Sequence, residues 1–142
     1  MSEVPPAGLP DLGEVGGWVG AGLDDVAGKA AGRVTGVYAD ADRGIPVWLV
    51  AVVEGGRRRF LFGRRRPKTI VVPLRECAAM PGRVWTAQGR QAMSDAPTVD
   101  PTRSLLREHE LTICLHYGIG EPAGRHAEVA GRSAGSITAQ PA

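Results

Sequence analysis

The sequence predicts a mainly β domain: a small six-stranded antiparallel barrel, followed by one helix and flanked by disordered tails. Short apolar runs alternate with turn signals at intervals of about ten residues between Leu23 and Ala87, a spacing typical of small sandwiches and barrels. The third run, residues 47–53, is apolar on both faces, as expected of a central, buried strand. Helix-length periodicity is found only after Asp100.

The ends of the strands follow from the turn residues. Gly28 and Gly44 allow the chain to reverse after the first and second runs. Pro73 has no N–H donor, so its strand is expected to end there or to lie at an edge. The predicted strands are residues 23–26, 33–40, 47–53, 57–63, 69–74 and 83–87. Strict alternation in the second strand places Val34 and Tyr38 on one face and Val37 on the other.

One helix is predicted at residues 101–117. Asp100 is suited to the N-cap, Pro101 to the first helical position and Gly118 to the C-terminal end. We expect the helix to pack on the barrel or on a second subunit through two adjoining stripes. The first contains Leu106, Glu110, Ile113 and Tyr117, and the second contains Leu111, Cys114 and Leu115.

The two ends of the chain are rich in Gly and Pro and poor in periodic apolar residues, so they cannot bury enough surface to offset chain entropy. The predicted organisation is a disordered arm at 1–17, a barrel at 18–97, a helical extension at 98–118 and a disordered tail at 119–142. Three tryptophans, Trp18, Trp48 and Trp85, are expected in the core.

Charge is distributed unevenly, although the net charge is only +2. Residues 57–90 contain ten basic side chains and one acidic side chain, a net charge of +9. The remainder contains seven basic and fourteen acidic side chains, a net charge of −7. This polarity predicts one face that attracts anions.

The basic hairpin around FLFGRRRPKTIVVPL allows two interpretations. Its guanidinium groups could bind phosphates or carboxylates of a partner, or its cations could only solvate an exposed hairpin and discourage edge pairing. Phe60 and Phe62 could stack on bases, but their alternation with Leu61 favours burial. The candidate partner-binding residues are Arg57, Arg58, Arg59, Arg64, Arg65, Arg66 and Lys68.

The signals for catalysis and metal binding are weak, so we expect neither an enzyme nor a metal or cofactor site. His109, His116 and His126 form no HExxH pattern. Glu110 and Cys114 lie one helical turn apart, but zinc takes three or four ligands. A surface carboxylate and a buried thiol are expected instead.

The sequence offers no export signal and no apolar run long enough to cross a bilayer. A cytoplasmic location is therefore expected. Because that compartment is reducing, Cys77 and Cys114 are expected to be free, buried thiols.

The order of features between Leu23 and Pro97 resembles the PRC-barrel family. The matching pieces are DDVAGKAAGRVTGVYADADRGIPVWLVAV, then IVVPL after a hairpin, then MSDAP, and REHELTICLHYG is similar to the helical tail of some stand-alone members. The resemblance implies the small barrel shared by the photosynthetic reaction centre H subunit and the C-terminal part of the ribosome maturation factor RimM. The chain lacks RimM's additional barrel and the H subunit's membrane helix, so a stand-alone member is expected.

Two functions remain open. The first is a non-catalytic adaptor that docks an anionic partner, either an acidic or ribosomal protein or RNA, through the basic hairpin; the link to RNA and the ribosome is implied only by the resemblance to RimM. The alternative is a homo-oligomerising structural or stress-related barrel without nucleic-acid contact. In either case a homodimer through the 101–117 helix is possible.

Overall fold

The computed structural model describes residues 10–40, 42–54 and 66–120, which contain one mixed β-sheet and three α-helices. The strands are β1 (Gly22–Asp24), β2 (Ala30–Ala39), β3 (Pro46–Glu54), β4 (Pro67–Pro73), β5 (Cys77–Met80) and β6 (Arg83–Thr86). The helices are α1 (Leu12–Gly16), α2 (Arg90–Ser94) and α3 (Arg107–Tyr117). Within these ranges no helix combines the length and apolar character that a membrane span requires.

The sheet has the strand order β4-β3-β2-β1-β6-β5. The mainly β class with a C-terminal helix is confirmed, but the predicted closed antiparallel barrel is wrong. β1 and β6 pair in parallel, and in the described part of the chain no ladder joins the edge strands β4 and β5. These edge strands are joined by a single 3-10 turn, Leu74–Glu76, so the sheet must curl until its edges meet at that corner. Local sequence patterns do not record how strands distant in the chain pair, which is why the parallel pair was not predicted.

Two strands differ from the sequence prediction. The predicted strand at 57–63 lies outside the described residues. β5 was not predicted, because its residues are small and mostly exposed and therefore carry no apolar alternation. The agreement in strand number between prediction and structure is thus coincidental.

A β-bulge in β2 changes the face of the sheet to which the following side chains point. Val34 pairs with Ala51 and Gly36 pairs with Val50, so Thr35 is an extra residue in the ladder. As a result Val34 and Val37 lie in the same buried cluster, whereas Tyr38 lies in another. The predicted strict alternation is therefore wrong at this point.

The sheet is covered on both faces. The inner cluster, enclosed by the curl of the sheet, includes Leu49, Ala51 and Val53 of β3. The outer cluster lies under α3 and includes Trp48 and Val50 of the same strand. The apolar character of β3 on both faces is explained by this double coverage: alternate side chains point to the core and to the helix.

Helix α3 begins later than predicted and ends where predicted. The Asp100 carboxylate accepts hydrogen bonds from the Thr102 backbone N–H and hydroxyl, which forms a local turn. The Tyr38 hydroxyl lies 3.2 Å from the Asp100 carbonyl and 3.0 Å from the Arg103 carbonyl, so it competes for acceptors that an earlier helix would need. Leu106 is the N-cap, and Gly118 ends the helix in the left-handed region at φ 70°.

The buried side of α3 contains Glu110, Ile113 and Cys114. The expected burial of Cys114 is confirmed, but the expected surface position of Glu110 is wrong, because only 7% of this residue is exposed. Leu115, placed in an apolar stripe, is 81% exposed.

The N-terminal side contributes more structure than expected. Residues 1–9 lie outside the described part, but α1 lies within the segment predicted as a disordered arm. Its N-cap Asp11 accepts from the Glu14 N–H at 2.8 Å, and Val15 is fully buried in the inner cluster. Trp18 packs partly buried against the same cluster. Capping together with two apolar contacts is enough to order this short segment on the sheet.

Candidate interaction site at the basic end of the sheet

Most of the predicted partner-binding residues lie outside the described part of the chain: Arg57, Arg58, Arg59, Arg64 and Arg65. Arg66 and Lys68 are described, at the start of β4. Arg66 is exposed, whereas Lys68 is half-buried. Because Glu54 pairs with Pro67, β3 ends and β4 begins at this same end of the sheet.

Two cations from other elements, Arg33 of β2 and Arg90 of α2, also lie at this end of the sheet. We call this end, with Arg33, Arg66, Lys68 and Arg90, the basic end. Arg33 of β2 pairs with Val52, one rung from the pair that Lys68 makes with Val53. Arg90 of α2 lines a cleft of about 340 Å³ together with Glu54 and Pro67. Arg33 and Arg90 are both exposed. Neither Arg33 nor Arg90 could be singled out from the sequence, because strand pairing places the first at this end and the docking of α2 places the second.

Lys68 holds the start of β4 against α2. Its Nζ donates to the Ser94 carbonyl of α2 at 2.8 Å, and the Ser94 hydroxyl donates to the Glu54 carbonyl at 3.3 Å. Burial lowers the pKa of the Lys68 ammonium group, and nearby Asp95 opposes that effect. The end of β3 and the start of β4, which flank the basic segment, are thus both bonded to α2.

Arg90 is positioned from two sides. Its Nη2 donates to the Ala30 carbonyl at 2.8 Å, and its Nε lies 3.9 Å from the Asp25 carboxylate. The buried Asp25 carboxylate also accepts from the backbone N–H groups of Ala27 and Lys29. The Arg90 side chain remains 48% exposed, so part of its guanidinium group is available to a ligand.

The two remaining described cations of the 57–90 stretch are Arg75 and Arg83. Arg75 belongs to the 3-10 turn at the opposite end of β4. Arg83 of β6 donates to both carboxylate oxygens of Asp24 in β1, with Nε 2.9 Å from Oδ2. Arg75 therefore lies apart from the basic end, and the charge of Arg83 is already paired with Asp24.

A second concave surface lies on the outer side of the sheet. It is a groove of about 710 Å³ between α3 and the segment before it, with an apolar floor that includes Tyr38, Leu105 and Ile113. Arg103 and His109 also line it, and both are exposed. Burial raises the pKa of Tyr38 to about 12, so its hydroxyl is a proton donor and not a nucleophile near neutral pH.

Among the described residues no group of three or more His, Cys, Asp or Glu side chains could hold a metal ion. Comparison with known proteins gave no match, either to a family model or to a curated sequence.

Proposed function

We propose that this protein is a non-catalytic binding module that docks an anionic macromolecule at the basic end of its sheet. The observation that carries the proposal is the position of Arg33, Arg66 and Arg90 at the end of the sheet where the five-arginine segment 55–65 joins β3 to β4. Each of these three side chains is exposed. Arginine forks suit phosphate and carboxylate groups, which they bind through paired N–H donors.

The resemblance to PRC barrels supports the same direction. It suggests a stand-alone member of that family, and its RimM branch suggests a partner that contains RNA or belongs to the ribosome. An acidic protein is the other partner class with the required charge. The bonds from Lys68 and Ser94 fix the end of β3 and the start of β4 before any partner binds. Less ordering is then needed on binding, which favours either partner class.

The test compares charge reversals at the two ends of the sheet. The double variant Arg33→Glu with Arg66→Glu reverses two charges at the basic end. The matched control, Arg43→Glu with Arg75→Glu, makes the same change in charge at the opposite end, and all four side chains are exposed. Fluorescence anisotropy with a single-stranded RNA oligonucleotide and with a polyglutamate peptide measures affinity. We expect a loss of about tenfold or more for the first pair and less than about twofold for the second. Equal losses for both pairs, or no loss for either, would overturn the proposal.

The dependence on salt tests phosphate recognition. If about five cations contact phosphates of single-stranded RNA, log affinity falls against log salt with a slope of roughly −3.5. Replacing Arg64, Arg65 and Arg66 by Glu should then reduce the slope and leave thermal stability nearly unchanged. Binding to RNA that does not respond to salt would contradict phosphate recognition.

A second function, homo-oligomerisation, is favoured by one observation on α3. Leu115 is 81% exposed, so a second copy of the chain could remove this large apolar side chain from water. Light scattering of the purified full chain over a concentration series tests it. A dimer that dissociates in Leu115→Gln would support this function, and a monomer at all concentrations would exclude it.

A further inference from the structure

The groove of about 710 Å³ on the outer side of the sheet is separate from the basic end. It lies between residues 97–106 and α3, and it shares no lining residue with the cleft at the basic end. Cavities of roughly 300–1,000 Å³ are typical of sites for small molecules. The groove therefore has the size of a ligand site of its own.

The wall formed by residues 97–106 is held in place by hydrogen bonds to the sheet. The Tyr38 hydroxyl of β2 lies 3.2 Å from the Asp100 carbonyl and 3.0 Å from the Arg103 carbonyl. The Val99 N–H donates to the Thr69 carbonyl of β4 at 2.9 Å. Because these bonds exist before a ligand arrives, little ordering of the wall is needed on binding.

Two opposite charges line this wall without pairing with each other. The Arg103 N–H donates to the Asp100 carbonyl at 3.0 Å, so both side chains leave the same turn. The bonds from Thr102 to Asp100 Oδ1 hold the pKa of that carboxyl below its ordinary value, and the Arg103 charge adds a smaller lowering effect. Among the residues that the structure describes, the Arg103 guanidinium has no hydrogen-bond or ion-pair partner, and Asp100 Oδ2 accepts no hydrogen bond.

Apolar surface lies beside these charges. Leu106 lines the groove and is 49% exposed, although it is a large apolar side chain. Pro97 and Val99 line the same groove and are half-buried. A ligand that covers Leu106 removes this apolar surface from water. The groove thus suits a molecule that has apolar side chains together with one positive and one negative group.

We propose that the groove binds an apolar dipeptide in its zwitterionic form. The terminal carboxylate lies against the Arg103 guanidinium, the terminal ammonium lies against the Asp100 carboxylate, and the side chains pack on Leu106. A dipeptide separates its terminal charges by up to about 7 Å of extended chain, which suits two wall charges that do not pair with each other. The proposal goes beyond binding at the basic end and does not rest on it.

Titration of the full chain with leucyl-phenylalanine, followed by NMR of the backbone amides, tests the proposal. We expect saturable shifts at the residues that line the groove, with a Kd of about 1 mM or lower. N-acetyl-leucyl-phenylalanine lacks the ammonium group and leucyl-phenylalanine amide lacks the carboxylate, so each should bind about tenfold more weakly. Equal affinity for the three peptides, or no saturable shift at the groove, would overturn the proposal.

Variants of the two wall charges provide the second arm. Arg103→Gln keeps the backbone carbonyl that Tyr38 contacts, and it should weaken binding of the dipeptide about tenfold and binding of the amide less than about twofold. Asp100→Asn keeps an acceptor for Thr102 and should weaken the dipeptide but not the N-acetyl peptide. Arg43→Gln is the matched control, because Arg43 is exposed and lies outside the groove. Equal losses for all three peptides in Arg103→Gln, or the same loss in Arg43→Gln, would contradict recognition of the carboxylate by Arg103.

Discussion

The Trp48 indole N–H of β3 donates to the Glu110 carboxylate of α3 over 2.7 Å. Both residues are buried, Trp48 at 1% exposure and Glu110 at 7%. The bond joins β3 to the helix inside an otherwise apolar cluster. A buried donor and acceptor that satisfy each other fix the orientation of the helix more sharply than apolar contact alone. The reason is that a buried polar group without a partner destabilises the folded protein.

Removal of the Glu110 carboxylate should therefore destabilise the fold. Glu110→Ala leaves the Trp48 N–H without this acceptor, and we expect the free energy of unfolding to fall by about 2 kcal/mol. Glu110→Gln keeps an acceptor oxygen and should cost less, about 1 kcal/mol. Urea denaturation measures both values. A Glu110→Ala variant as stable as the original protein would show that the bond contributes nothing net.

Gly32 should tolerate no side chain. A Cβ at this position would overlap the Val52 carbonyl oxygen and approach Val53 Cγ1 to 2.8 Å, so β2 and β3 would have to separate. We expect Gly32→Ala to lower the free energy of unfolding by about 2 kcal/mol or more. Gly16→Ala is the matched control, because a Cβ there meets nothing within 4 Å, and it should change stability by less than about 0.5 kcal/mol. Equal effects of the two substitutions would contradict the close approach of β2 to β3.

The Asp24–Arg83 pair should make stability depend on acid pH. Its hydrogen bonds from Arg83 hold the pKa of Asp24 below the ordinary value of about 3.9. A carboxyl whose pKa is lowered by folding stabilises the fold above its ordinary pKa, and that contribution is lost as the pH falls through the lowered folded value. Thermal melts between about pH 6 and pH 2 should show this loss. Asp24→Asn and Arg83→Gln should each flatten the profile over that window; unchanged profiles in both would disprove the link.

The Cys77 thiol should be unreactive in the folded protein. Burial raises its pKa to about 12, with smaller effects from Thr86 and Glu76, so very little thiolate exists at pH 8. Labelling with iodoacetamide, resolved by peptide mass spectrometry to separate Cys77 from Cys114, should be at least about a hundredfold slower than in denaturant. Labelling of Cys77 at the denatured rate would show that its environment is open to solvent.

Sequence patterns predicted the features that depend on neighbours in the chain. β3 follows from its apolar run, and β4 ends at Pro73 because proline has no N–H donor. Helix α3 ends at Gly118 because glycine readily adopts a left-handed φ. The start of α3 could not be predicted in the same way. It depends on the Tyr38 hydroxyl, which lies more than sixty residues away in the chain and competes for the carbonyls of Asp100 and Arg103.

The candidate site divides along the same line. The sequence alone determined that one stretch concentrates the positive charge, because composition and order are properties of the chain. Only the tertiary structure decided that Arg33 and Arg90 lie at the end of the sheet where that stretch begins, that Arg75 lies at the other end, and that Asp24 pairs with Arg83. The physical reason is that strand register and helix docking set distances between residues far apart in sequence, and these arise from the burial of the whole core.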